Sequence, residues 1–171
     1  MAKKRKSGIT RKHSGGTRAI AALNQAGVPF EVIEYEHSDT MAHGYALDTA
    51  AVLDLDPQII FKTLMAEVDG AAVVALVPAS ARLNLKALAK AGGGKSAVMM
   101  APETAERITG YVTGGISPLG QSRKHPTYID ISAQSLPQML ISGGKRTFSL
   151  VVSPDDLARI TDAQFVAIAN T

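Results

Sequence analysis

The segment Ile59-Ile60-Phe61-Lys62-Thr63-Leu64-Met65 is apolar on both of its alternating faces. A strand with one face in water alternates polar and apolar residues, so a strand without that alternation is covered on two sides. The apolar run continues to Val68, turns at Asp69-Gly70, a pair suited to a tight hairpin, and resumes from Ala71 to Val77. A hairpin of this kind belongs in the interior of a layered fold. Lys62 is the exception within it. It has the same parity as Ile60 and Leu64 and points where an ammonium loses its water. Two readings stay open: a lysine kept there for function, or one close enough to an edge to extend its amine into solvent.

The remaining elements alternate around this hairpin. Thr17 caps a helix with Ile20, Leu23 and Ala26 at helical spacing, ended by Gly27. A strand follows over Phe30 to Tyr35, then a helix over Tyr45 to Leu53 that stops before Asp56-Pro57. Beyond the hairpin, Leu83 to Ala91 reads as a helix with Asn84 as cap, and Pro102 opens a short helix to Ile108. Tyr128 to Ile131 and Gln138 to Ile141 read as strands, Ser142 to Lys145 as a turn, and Thr147 to Val152 as a strand. Ser153-Pro154 starts the last helix. Helices interspersed with hairpins indicate an α/β chain of the α+β type with a mixed sheet.

Charge divides the chain unevenly. Seven of its 18 Lys and Arg residues, and none of its 15 acids, fall within the first 18 residues. The rest carries eleven bases against fifteen acids, so the basic pI belongs to the tail. Residues 1–16 are read as a flexible basic tail and residues 17–171 as one domain. Such an arm attracts polyphosphate without sequence specificity; a solubilising terminus or a cloning remnant is an equal reading. Cysteine is absent, which removes disulfides, a thiol nucleophile and thiolate metal sites. No apolar run approaches the roughly 20 residues of a membrane span, and no secretory signal pattern opens the chain.

Several motifs resolve into little. Gly94-Lys95-Ser96 resembles the end of a phosphate-binding loop, but Ala89 stands where that loop needs its first glycine, and the triplet follows a helix rather than a strand. His37, Asp39 and His43 have no familiar metal spacing, Arg123-Lys124-His125 reads as a solvated basic patch, and no G-x-S-x-G nucleophile elbow occurs. Two glycine-rich stretches are more informative. Residues 109–120 and Ser142-Gly143-Gly144-Lys145-Arg146 can bring backbone N–H groups against a carboxylate, a phosphate or a developing oxyanion; the plainer alternative is a pair of hairpin turns.

In order and spacing, Phe61-Lys62-Thr63-Leu64, Leu83-Asn84-Leu85-Lys86-Ala87-Leu88, Gly110-Tyr111-Val112-Thr113-Gly114-Gly115-Ile116-Ser117-Pro118-Leu119-Gly120 and Ile141-Ser142-Gly143-Gly144-Lys145-Arg146 resemble the YbaK family of aminoacyl-tRNA deacylases. These are relatives of the editing domain inserted in bacterial prolyl-tRNA synthetases. The resemblance covers about Thr17 to Asp162. It implies a mixed, barrel-like β-sheet surrounded by helices, and trans-editing hydrolysis of mischarged Cys-tRNA(Pro) in which the substrate thiol attacks its own carbonyl. It also implies Lys62 as the catalytic pocket lysine, with Tyr35, Tyr45, Thr63, Gly115 and Ser142 as substrate-binding residues. No metal or cofactor is implied. The expected partners are the aminoacyl-tRNA 3′ end and prolyl-tRNA synthetase, with no membrane, in the cytoplasm. His43-Gly44-Tyr45-Ala46-Leu47-Asp48-Thr49-Ala50 departs from the family's Phe-Gly-x-Glu-Ala-Ala-like helix start and bears on which amino acid is removed. The alternatives are the same reaction on Ala- or another small-amino-acid-tRNA, or a non-catalytic module binding tRNA or a synthetase.

Overall fold

The computed structural model describes residues 9–10, 16–35 and 45–170. Its helices begin where short polar side chains can satisfy free amides. Thr17 accepts a hydrogen bond from the Ile20 amide at the start of α1 (Arg18–Ala26), and Gly27 closes that helix at φ 69°. The helix expected over Tyr45 to Leu53 is α2 (Tyr45–Leu53). Asn84 caps α3 (Leu85–Ala91), Pro102 opens α4 (Pro102–Thr109), and Ser153 caps α5 (Pro154–Thr161).

The strands are β1 (Ile9–Thr10), β2 (Glu31–Glu34), β3 (Phe61–Val68), β4 (Ala71–Pro78), β5 (Arg82–Leu83), β6 (Ala97–Met99), β7 (Thr127–Asp130), β8 (Met139–Lys145), β9 (Phe148–Val152), β10 (Gln164–Val166) and β11 (Ala169–Asn170). They form a five-stranded mixed sheet in the order β10-β7-β4-β3-β6 and a four-stranded antiparallel sheet in the order β1-β2-β9-β8. In the first sheet β4-β7 and β7-β10 run parallel. A bridge between Ile60 and Leu140 joins the sheets at one corner, with the Leu140 amide donating to Ile59 O at 2.9 Å. The architecture is thus mixed and barrel-like, flanked by helices.

Two readings of the sequence change. Leu83 belongs to β5, paired with β11, so α3 starts after its cap rather than before it. Ser142 to Lys145 is not a turn but the end of β8, carried through an irregularity in its pairing with β9. The reversal comes at Arg146 and Thr147 instead, where Thr147 takes φ 72°. The basic tail lies outside the described residues apart from β1, which pairs with β2, and Gly16. His37, Asp39 and His43 also lie outside them.

The hairpin is covered on both faces, as its composition demands. Phe61 and Met65 of β3 join Val74 and Leu76 of β4, Ile129 of β7, and Ile20, Leu23 and Leu157 from α1 and α5 in the main core. Ala66 and Val68 face the other way, with Val73, Ala75 and Val77, and pack with Leu88 of α3. A third cluster of Ile33, Ala50, Ile60, Ala79, Leu140 and Val151 lies between α2 and the sheets. One buried charge ties the far side together. The Asp130 carboxylate, 5% exposed, accepts from the amides of Ile168 and Ala169 at 3.0 Å and of Ser132 at 3.1 Å.

Candidate active site

The β3 register places the site. Alternate residues of a strand direct their main-chain groups to opposite neighbours. Ile60 O accepts from Ala79 on the β4 side, whereas Ile59 O and Met65 O accept from Leu140 and Met100 on the other. The odd-numbered residues therefore face away from β4. On that side β6 pairs only with Ala66 to Val68, and the bridge to β8 lies at Ile60. Between those two points, at Thr63, no ladder pairing with β6 or β8 occurs among the described residues, although β8 runs alongside. A cavity of about 310 Å³ opens there, and every residue from Ile60 to Met65 lines it, as expected of a cavity running along a strand edge rather than over one face.

Lys62 stands in this cavity, half-buried. Burial holds its pKa below the usual lysine value, with the Arg82 guanidinium as the smaller cause in the same direction. The ammonium is partly desolvated but not fully buried. Beside it, Thr63 Oγ1 is shielded from water and has no hydrogen-bond partner among the described residues. Tyr35 OH and Thr49 Oγ1 lie 2.5 Å apart on the α2 side. Ser142 faces them from β8, its Oγ accepting from the Gly144 amide at 3.2 Å.

The structure therefore brings Tyr35, Lys62, Thr63 and Ser142 to one cavity. Tyr45 begins α2, and its side chain lies outside what is described. Gly115 stands behind the wall while Gly114, at φ 86°, lines it. A Cβ on Gly115 would lie 2.8 Å from Arg146 N and Lys145 C, so its lack of a side chain lets the two glycine-rich stretches meet backbone to backbone. Arg146 Nε donates to Thr113 O at 2.9 Å, and the Thr113 amide donates to Glu106. Thr17 donates from its hydroxyl to Gly143 O, and Arg18 spans Thr109 O and Ser122 Oγ while its guanidinium sits 5.1 Å above the Tyr111 ring. The long loop is thus a fastened wall, not a free turn.

Sequence reading missed the wall's apolar part: Met65, Met99, Met100, Ile116 and Phe148, together with Thr49. Their spacing carries no chemical signature, because an apolar cavity wall and a core share one composition. The phosphate-loop look-alike is explained directly. The amides of Lys95 and Ser96 already donate to the Asp69 carboxylate, at 3.0–3.1 Å. Among the described residues no three His, Asp or Glu converge as a metal site, and no helix is long and apolar enough to cross a membrane.

Residues 43–160, which supply α2, β3, the glycine-rich loop and β8, match the family described as the aminoacyl-tRNA editing domain. The chain belongs to this family. It is 35% identical over 155 residues to an Enterococcus faecalis protein named "Putative Cys-tRNA(Pro)/Cys-tRNA(Cys) deacylase EbsC", covering 90% of this chain and 93% of the relative. Among solved structures it resembles "a putative trans-editing enzyme for prolyl tRNA synthetase", with TM-score 0.78 and 24% identity over 92% of this chain and 100% of the other. A hypothetical protein has the same fold, with TM-score 0.80 and 20% identity over 90% of this chain and 100% of the other. Family membership makes the chain an editing-domain protein whose substrate class is aminoacyl-tRNA.

Proposed function

We propose that this protein removes cysteine from mischarged Cys-tRNA(Pro), with Lys62 as its catalytic residue and Tyr35, Tyr45, Thr63, Gly115 and Ser142 forming the substrate pocket. The observation that carries the reading is the partly desolvated Lys62 ammonium in an otherwise largely apolar cavity, beside a Thr63 hydroxyl with no hydrogen-bond partner among the described residues. The sequence offers no cysteine and no G-x-S-x-G nucleophile elbow, which favours a reaction whose nucleophile comes from the substrate. In that reaction the substrate sulfur attacks the ester carbonyl and a C–S bond forms. The bond from that carbonyl to the ribose oxygen breaks, and the thiol proton passes to that oxygen, leaving a thiolactone and free tRNA. The protein holds thiol and carbonyl in attack geometry, and Lys62 stabilises negative charge where the tRNA 3′ oxygen departs.

The relative named as a deacylase of Cys-tRNA(Pro) and Cys-tRNA(Cys) supports this choice of amino acid. The cavity's small polar inventory would also hold alanine, with water as nucleophile. Prolyl-tRNA synthetase is the partner we assign for presenting tRNA, and the substrate places the activity in the cytoplasm. The test is deacylation of cysteinyl-, alanyl-, seryl- and prolyl-tRNA by wild type and Lys62→Ala. Loss of cysteine alone, abolished in the variant, is expected. Loss of alanine instead keeps the enzyme and overturns the specificity; hydrolysis of none of the four overturns the enzymatic reading in favour of a binding module.

A further inference from the structure

A second cavity, of about 230 Å³, lies on the main-core face of the five-stranded sheet, beside Val74 and Thr127. Met65, Val74 and Thr127 are register partners across β3, β4 and β7, so they form one row. Met65 lines the first cavity, whereas Val74 and Thr127 line the second. Two strand spacings, about 10 Å, therefore separate the ends of that row. Gln121 lies at the partition. Its amide nitrogen donates to Ser117 O at 3.0 Å and reaches Met65 Sδ at 3.7 Å, while the residue itself lines the second cavity.

The second cavity contains the basic triplet that the sequence presents as a solvated patch. Arg123 and Lys124 are exposed, but His125 is partly buried. Lys124 is engaged with Asp162 at 2.5 Å, whereas no described carboxylate engages Arg123. His125 Nε2 and Gln121 Oε1 are shielded from water and have no hydrogen-bond partner among the described residues. Both residues line the second cavity. The vacant inventory is thus a guanidinium, an imidazole nitrogen and an amide oxygen. Guanidinium and ring N–H donate to a phosphate oxygen, and the amide oxygen accepts from a hydroxyl. A ribose 2′-hydroxyl next to its phosphate offers that complement.

We propose that this second cavity binds a sugar–phosphate unit of RNA, through Arg123 and His125 on the phosphate and Gln121 on the 2′-hydroxyl, and so holds the acceptor strand whose 3′ end enters the first cavity. The inference rests on the substrate class proposed above but makes a claim about binding alone. Its test is therefore the affinity of the full-length protein for uncharged tRNA, which carries no ester, as a function of salt between about 50 and 200 mM. Arg123→Ala is expected to weaken binding several-fold and to lower the salt slope by about 1, the signature of one lost phosphate contact. Lys95→Ala, which removes a charge at the β3–β4 turn, should leave both nearly unchanged. Equal effects from the two variants, or none from Arg123→Ala, overturn the proposal. In a second arm, inorganic phosphate is titrated while the His125 ring is followed by NMR. Ring shifts that tRNA also produces, and that Arg123→Ala abolishes, support the site. Shifts with phosphate alone, at unchanged tRNA affinity, assign it to free phosphate and overturn the RNA reading. A protein that binds tRNA through Arg123 yet deacylates nothing would keep this inference and discard the activity.

Discussion

Asp130 and Thr63 are polar residues set into apolar strands two places apart in one sheet, and the fold treats them in opposite ways. Around Asp130 three amide donors, from the turn after β7 and from the chain entering β11, converge on the two carboxylate oxygens. Around Thr63 the hydroxyl has no partner among the described residues, and the adjacent Lys62 has no described carboxylate against it. A buried polar group with its hydrogen bonds made is a fastening; one without them carries a cost that a bound molecule can remove. The two regions separate what this chain needs in order to fold from what it keeps available for a ligand.

Substitutions can break that contrast, and the largest effect is expected at Lys62. Lys62→Met should lower deacylation by about 10²–10³-fold, the scale of losing one charge-stabilising donor, while the melting temperature holds or rises. Because its pKa is lowered in the fold, the unfolded chain keeps the Lys62 proton to higher pH. Wild-type stability therefore rises with pH from the folded pKa up to the ordinary value of 10.5. Denaturation across that window should show a flatter rise in Lys62→Met.

Asp130→Ala is the converse. It strands several amides and should cost about 3 kcal/mol in denaturant unfolding, with kcat of the folded fraction close to wild type. A kcat loss as large as that of Lys62→Met would erase the distinction. Gly115→Ala stands between the two. Its methyl group would press on the Lys145–Arg146 backbone, and the expected cost is about 2 kcal/mol in unfolding measurements together with a raised KM. Thr63→Val should have the smallest effect on stability, within about 1 kcal/mol and in the stabilising direction, but should raise KM for the aminoacyl-tRNA. A destabilised Thr63→Val would mean that the hydroxyl is already satisfied in the free protein.

Legibility from the sequence followed the range of the interactions. Helix ends were readable because Thr17, Asn84, Ser153 and Gly27 act on amides or carbonyls a few residues away. The short strands β5, β6, β10 and β11 were not, since two or three residues carry no period and take their register from partners far along the chain. The misplaced turn has a similar cause. Gly143-Gly144 looks like a reversal, but the glycines serve close packing, with Gly143 against Phe148 and Gly144 against Tyr111 and Thr17. The reversal falls on Thr147, a residue that turn chemistry disfavours at positive φ. At the site, Lys62 stood out by its apolar surroundings and Ser142 by its glycine-rich stretch, whereas Tyr35 and Thr63 followed only from family resemblance. Thr49 and the methionines had no signal of either kind.

The fastening of the glycine-rich wall has a consequence for how the protein is made. Thr17 meets Gly143 across 126 residues, and Arg18 reaches Thr109 and Ser122 across 91 and 104. Contacts so distant in sequence cannot form on a ribosome until the later partner has been synthesised. A nascent chain that has not yet reached β8 lacks Ser142 and the strand that backs Gly115. Through most of its own synthesis, then, an enzyme directed at aminoacyl-tRNA remains a peptidyl-tRNA with an unfinished pocket.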